Sequence, residues 1–132
     1  MSARVLICED QPQVAAVLLA VLRAAGFEAE SLSRSDGVAD VLLQESVAVL
    51  LVSFSGREAS ASTDLLTQLR GRPEPVLNQA AILVMSDQPL GSNCGADAAL
   101  LRPVEAQRLV DAVTEVASTG SLARELRRNA AE

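Results

Sequence analysis

Short apolar runs alternate with helix-spaced apolar positions along this chain. Val5 to Cys8 is continuously apolar, so Arg4–Cys8 reads as a strand buried on both faces, ending at Glu9-Asp10. Pro12 suits a first helical turn, where its missing N–H is not needed. Val14, Val17, Leu18, Val21, Leu22 and Ala25 follow at helical spacing and predict one apolar face. Gly26 is a fitting stop. Glu28 to Leu32 alternates weakly and predicts an exposed edge strand.

Ser35 is a candidate cap for a second helix carrying Val38, Val41 and Leu42. Val47 to Val52 is a second buried strand, ending at Ser53. Asp64 to Arg70 predicts a short helix with Leu65, Leu66 and Leu69 inward. Gly71 to Gln79, with Pro73 and Pro75, predicts a loop. Ala80 to Met85 is a third buried strand, ending at Ser86, and Ala98 to Leu101 a last short one. Val104 to Ser118 predicts a final helix with Leu109, Val110, Val113 and Val116 on one face. The stretch from Gly120 onward reads as a polar extension or linker, so the expected division is a domain over 1–118 and an extension over 119–132. Strands alternating with helices imply an α/β fold with a parallel sheet covered on both sides. Sites in such sheets gather beyond the C-terminal strand ends. Here those ends carry Glu9, Asp10, Ser53, Ser86, Arg102 and Pro103.

Composition narrows the chemistry. Hydrophobic residues make up 49 % of the 132 residues but aromatics only 2 %, so the core must be aliphatic. No apolar run reaches the ~20 residues of a membrane helix. The net charge of −6 argues against nucleic-acid binding, which leaves a basic footprint. All 11 basic residues are arginine and there is no histidine or tyrosine, which removes amine nucleophiles and the commonest general base. Cys8 and Cys94 lack metal-type spacing and read as a buried thiol and a loop thiol of a cytoplasmic protein.

The order of elements resembles the response-regulator receiver family, from about Arg4 to Ala117. The resemblance rests on the acidic pair Glu9 and Asp10 after the first strand and on Ser86 after the fourth. Gly95-Ala96-Asp97 leads into the last strand, which ends in Arg102-Pro103. It implies a flavodoxin-like (CheY-like), doubly wound, five-stranded parallel sheet of order 2-1-3-4-5, and a cis peptide before Pro103. It further implies a pocket in which an aspartate after the third strand takes a phosphoryl group. The acidic pair and that aspartate would hold Mg²⁺, a lysine after the fifth strand would contact the phosphoryl, and the hydroxyl would report it.

This chain departs from that pattern at several points. Ser53 stands at the phosphoacceptor position, and a hydroxyl forms no acyl phosphate. Glu58 lies five residues beyond the strand end, too far to replace it. Arg102 stands at the lysine position, a planar fork in place of a point charge. Ala99 stands where the family has a switching aromatic, and the loop Phe54-Ser55-Gly56-Arg57-Glu58-Ala59-Ser60 lacks the usual proline. Only 11 residues, Asp87 to Asp97, connect the last two strands, fewer than a parallel crossover normally needs. The helix of that crossover, the fourth in the family's order, is therefore expected to be missing or cut to one turn.

Two readings of Glu9 and Asp10 stand side by side. They are weak metal candidates, or a relict pair offset by Arg102 in an ion pair that replaces the metal. Ser86 senses a pocket ligand or merely caps a turn. Leu90, Leu100, Leu101, Ala106, Leu109 and Val110 are interface candidates around the thinned crossover, where a protein partner or a second copy would cover exposed core. The expected function is a cytoplasmic, phosphorylation-independent signalling domain of a two-component or related pathway. It would act by protein–protein contact, with no cofactor and no catalytic residue. The alternative is a small-molecule sensor with a cavity near Ser53, Ser86 and Ala99.

Overall fold

A computed structural model describes residues 3–53, 59–87 and 95–131, with the side chains of 35, 59–63 and 120–131 outside the description. Five strands form one parallel sheet: β1 (Arg4–Cys8), β2 (Glu28–Leu32), β3 (Val49–Val52), β4 (Ile82–Ser86) and β5 (Ala98–Leu101). Their spatial order is β2-β1-β3-β4-β5, the doubly wound order expected from the resemblance. The helices are α1 (Pro12–Ala24), α2 (Val38–Gln44), α3 (Ala59–Arg70), α4 (Pro75–Asn78) and α5 (Ala106–Ala131).

The continuous apolar runs make sense in this sheet, because both faces are covered. Val5, Ile7, Val49, Leu51, Leu83, Met85 and Leu100 pack with α1 and α5. Leu6, Cys8, Leu50, Val52, Ile82 and Val84 pack on the other side with α2, α3 and α4. Leu50, Leu51 and Leu83 have almost no exposed surface. Each contributes about 2 kcal/mol of transfer free energy, so the three central strands carry most of the stability. At the edge, β2 exposes Glu28 and Glu30 around buried Ala29, and charges on an edge strand discourage further pairing.

Several expectations are corrected. Val17 is 61 % exposed. It lies about 100° round the helix from Leu18, and the buried face of α1 is Ala15, Leu18 and Leu22. Ser35 does not cap α2: it opens a 3₁₀ turn, Ser35–Gly37, and Gly37 takes the N-cap position without a side-chain bond. Two strands begin two residues later than read, at Val49 and Ile82, and α3 begins five residues earlier, at Ala59. The presumed loop Gly71 to Gln79 contains α4. Pro75 fits its first turn, and Leu77, fully buried, anchors it to the core. Helix α5 buries Leu109, Ala112, Val113 and Val116, leaves Val110 half-buried, and runs unbroken past Ser118 for 26 residues in all. The crossover helix expected to be thinned falls on 88–94, and the loop with Glu58 on 54–58. Both lie outside the described residues.

At the N-terminal end of β4 and β5 sits an arginine clamp. Arg70 Nε donates to Gly95 O at 2.8 Å, and Nη1 donates to Asn78 O at 3.0 Å and Ala80 O at 2.8 Å. Its Nη2 meets Asp97 Oδ2 at 3.3 Å, and that oxygen also accepts the Ile82 N–H at 2.7 Å. Gly95 has φ +94°, so the turn into β5 needs glycine, and a Cβ there would stand in contact with Arg70 Cγ at 3.4 Å.

Candidate functional site

The topology brings the sequence-predicted residues to one end of the sheet. Glu9 and Asp10 follow β1, Ser53 follows β3, Ser86 ends β4, and Arg102 with Pro103 follows β5. The neighbouring strands hold this end together. The Glu9 N–H donates to Leu32 O, the Ser53 N–H to Cys8 O and the Arg102 N–H to Ser86 O, at 2.8–3.0 Å. The Arg102–Pro103 peptide is cis.

Arg102 reaches inward from β5. Its Nη2 donates to the carbonyl oxygen of Ser53 and, at 2.8 Å, to Ser53 Oγ. Its Nη1 meets Asp87 Oδ1 at 3.3 Å. This corrects the expected ion pair: Arg102 pairs with Asp87, the residue just past β4, and not with Glu9 or Asp10. Ser53 is completely buried. Its hydroxyl accepts from the guanidinium and keeps its own proton to donate.

Glu9 is not a solvated relict either, being 1 % exposed. Its Oε1 accepts the Gln11 N–H at 3.0 Å, while Glu9 Oε2 and Asp10 Oδ1 are buried without a partner. Burial pushes the Glu9 carboxyl up from its ordinary value. The Gln11 N–H and the Ser53 hydroxyl pull it down, and the adjacent Asp10 carboxyl adds to the rise. The net direction for Glu9 is upward, so its protonated form is favoured relative to an exposed carboxyl.

A Mg²⁺ site fits this donor set poorly. Mg²⁺ wants hard oxygens in near-octahedral array. The leftover oxygens of Glu9 and Asp10 supply two. Among the described residues, the third corner offers the oxygens of Ser53, and both already accept from a guanidinium that stays charged. Among the described residues, no group of three or more His, Cys, Asp or Glu is placed to hold a metal.

The remaining candidates separate. Ala99, at the switch position, is exposed beside Val84 in the sheet. Ser86 is half-buried. Leu100 and Leu109 are not surface residues: they are 6 % and 3 % exposed, in the core shared with α1. Strand alternation turns Leu100 toward α5 and leaves Leu101, at 53 %, outward. Ala106 is exposed. It lines, with Val110, a shallow cleft between α1 and α5 that also includes Ala20, Val21 and Ala24. Leu90 lies outside the described residues. A second cleft, among Leu42, Glu45, Val47, Val76 and Ala80, belongs to the opposite end of the sheet. Neither cleft touches Ser53, Ser86 or Ala99. Sequence reasoning missed Asp87 as the partner of Arg102. Its place one residue past a strand end, on the site's side of the sheet, was the available signal.

Fold and site together define a receiver-like α/β domain. No protein-family model matches the sequence, and no curated protein matches it. Solved structures do. The chain is similar to a sensor protein from Polaromonas sp. JS666, with a TM-score of 0.76 at 20 % identity over 89 % of this chain and 98 % of that one. It is equally similar to the receiver domain of a signal transduction histidine kinase from Syntrophus aciditrophicus, with a TM-score of 0.76 at 20 % identity over 89 % and 92 % of the two chains. A CheY-like receiver domain protein from Methanospirillum hungatei JF-1 gives 0.75 at 18 % identity over 93 % and 99 %. At these identities the likeness establishes the fold.

Proposed function

We propose that this chain is a signal-transduction domain of receiver type that works without an aspartyl phosphate, through contact with a protein partner. The observation that carries the reading is Ser53: buried after β3, where the resembling family places its phosphoacceptor, and clasped by Arg102 through both oxygens. Ser53 is buried and held by a guanidinium, and the carboxyl beside it, Glu9, is pushed toward its protonated form by burial, so in this reading the domain is no enzyme and needs no cofactor. The partner is a protein of a two-component or related pathway, and a second copy of the chain is one such partner. A cytoplasmic location and no direct contact with nucleic acid go with this role. No helix among the described residues is long and apolar enough to cross a membrane. The ligand-sensor alternative draws no support from the two clefts, which lie away from Ser53, Ser86 and Ala99.

The test is an amide NMR titration with Mg²⁺ and beryllofluoride, a mimic of aspartyl phosphate. The expected result is that the resonances of Asp10, Ser53 and Ser86 stay in place. Saturable shifts at those residues on adding beryllofluoride, beyond any that Mg²⁺ alone produces, would make this a working phosphoacceptor and overturn the reading.

A further inference from the structure

We propose that Arg102 is the resident cation of this pocket and that it keeps divalent metal ions out. The inference rests on the phosphate-independent reading above and deepens it, by naming what occupies the place of the inorganic ligand. Three observations carry it. First, Nη2 of Arg102 takes both Ser53 oxygens, the oxygens that the described residues place at the end of β3. A metal approaching them meets an N–H donor rather than a lone pair. Second, the guanidinium is anchored once more, by Asp87 Oδ1 at 3.3 Å, and the backbone it springs from is held to β4 by the Arg102 N–H on Ser86 O at 2.8 Å. It cannot move aside without breaking the ties that join the ends of β3, β4 and β5. Third, its charge stays uncompensated by Glu9 and Asp10, whose leftover oxygens Oε2 and Oδ1 it does not reach. The pocket therefore holds a guanidinium, paired with Asp87, where an incoming metal would need the negative charge of a third carboxylate. Mg²⁺ gives up its water reluctantly and gains too little here to do so.

The test uses Mn²⁺ alone, with no phosphate mimic, and reads paramagnetic broadening of the Glu9, Asp10 and Ser53 amides in the full chain. The wild type should show no saturable, site-specific broadening. Arg102→Met should bind Mn²⁺ roughly tenfold tighter or more, the scale on which one neighbouring like charge acts. Circular dichroism shows whether the variant folds. If it does not, Asp87→Asn decides in its place, because releasing the anchor frees the guanidinium and should also tighten Mn²⁺ binding. Wild-type binding as tight as the variant's would overturn the proposal. So would a folded variant that binds no better than wild type. Beryllofluoride plays no part in this titration, so a metal-binding wild type that ignores beryllofluoride sinks this inference and leaves the proposed function standing.

Discussion

Arg70 and Arg102 sit at opposite ends of the same sheet, and each draws several elements together. Arg70 ends α3 and gathers three backbone carbonyls and Asp97 around itself. Asp97 is used in turn, by the Ile82 N–H. Arg102 gathers Ser53 and Asp87, yet two carboxyl oxygens beside that cluster find no donor. The same side chain thus closes one network and leaves the other open. A polar network with every member satisfied fixes a structure, and one with members left over is poised to take up a proton or change its arrangement. The first end of the sheet has its acceptors matched to donors, and the second keeps two in reserve.

The sharpest way to break this contrast is to remove each arginine. Arg70→Met leaves three carbonyls without this donor and a sheltered carboxylate without its cation, and should cost about 3 kcal/mol. Arg102→Met should cost less, about 1–2 kcal/mol, because its ion-pair partner Asp87 is 56 % exposed and can turn to water. Urea unfolding midpoints of the two variants measure the difference, and equal losses would erase the distinction. Gly95→Ala probes the closed end more gently. The positive φ and the contact with Arg70 should together cost about 1–2 kcal/mol in the same assay.

At the open end the sign reverses. The folded state raises the Glu9 carboxyl above its unfolded value, so it binds that proton more tightly than the unfolded chain does. Its contribution to stability is therefore full at low pH. It is lost as pH rises from the ordinary carboxyl range through the raised folded value. Glu9→Gln should stabilise the domain by about 1 kcal/mol at neutral pH and flatten this slope, measured by thermal melts across a pH series. A wild type that gains stability across that window would refute the raised Glu9 carboxyl. The smallest effect belongs to Arg72 and Glu74, hydrogen-bonded at 2.7 Å on the surface. Arg72→Ala should leave the melting midpoint unchanged, because water and salt screen such a pair.

Much of the fold was legible because each central strand is apolar on both faces, a pattern that only a doubly covered sheet explains. Boundaries slipped where tertiary contacts overrule local signals, as when Leu77 draws a proline-rich stretch into a helical turn. Ser53 and Arg102 could be placed because strand ends converge by topology. Which acid Arg102 would choose could not, since the choice depends on reach across three strands. Leu100 and Leu109 were assigned to the surface for a similar reason: an apolar residue beside a thin crossover reads the same whether it faces out or in. The Arg70 clamp joins residues up to 27 positions apart and leaves no periodic trace.

Cys8 closes β1 with no exposed surface, and burial pushes its thiol up to about 12. At neutral pH only roughly one molecule in 10⁵ carries the reactive thiolate. Because β1 is hydrogen-bonded on both sides, to β2 and β3, an alkylating reagent reaches this sulfur only when the middle of the sheet comes apart. The chain thus carries its own clock for global opening, set one residue before Glu9. The labelling rate at that sulfur counts how often the Arg102 end of the sheet loses its scaffold.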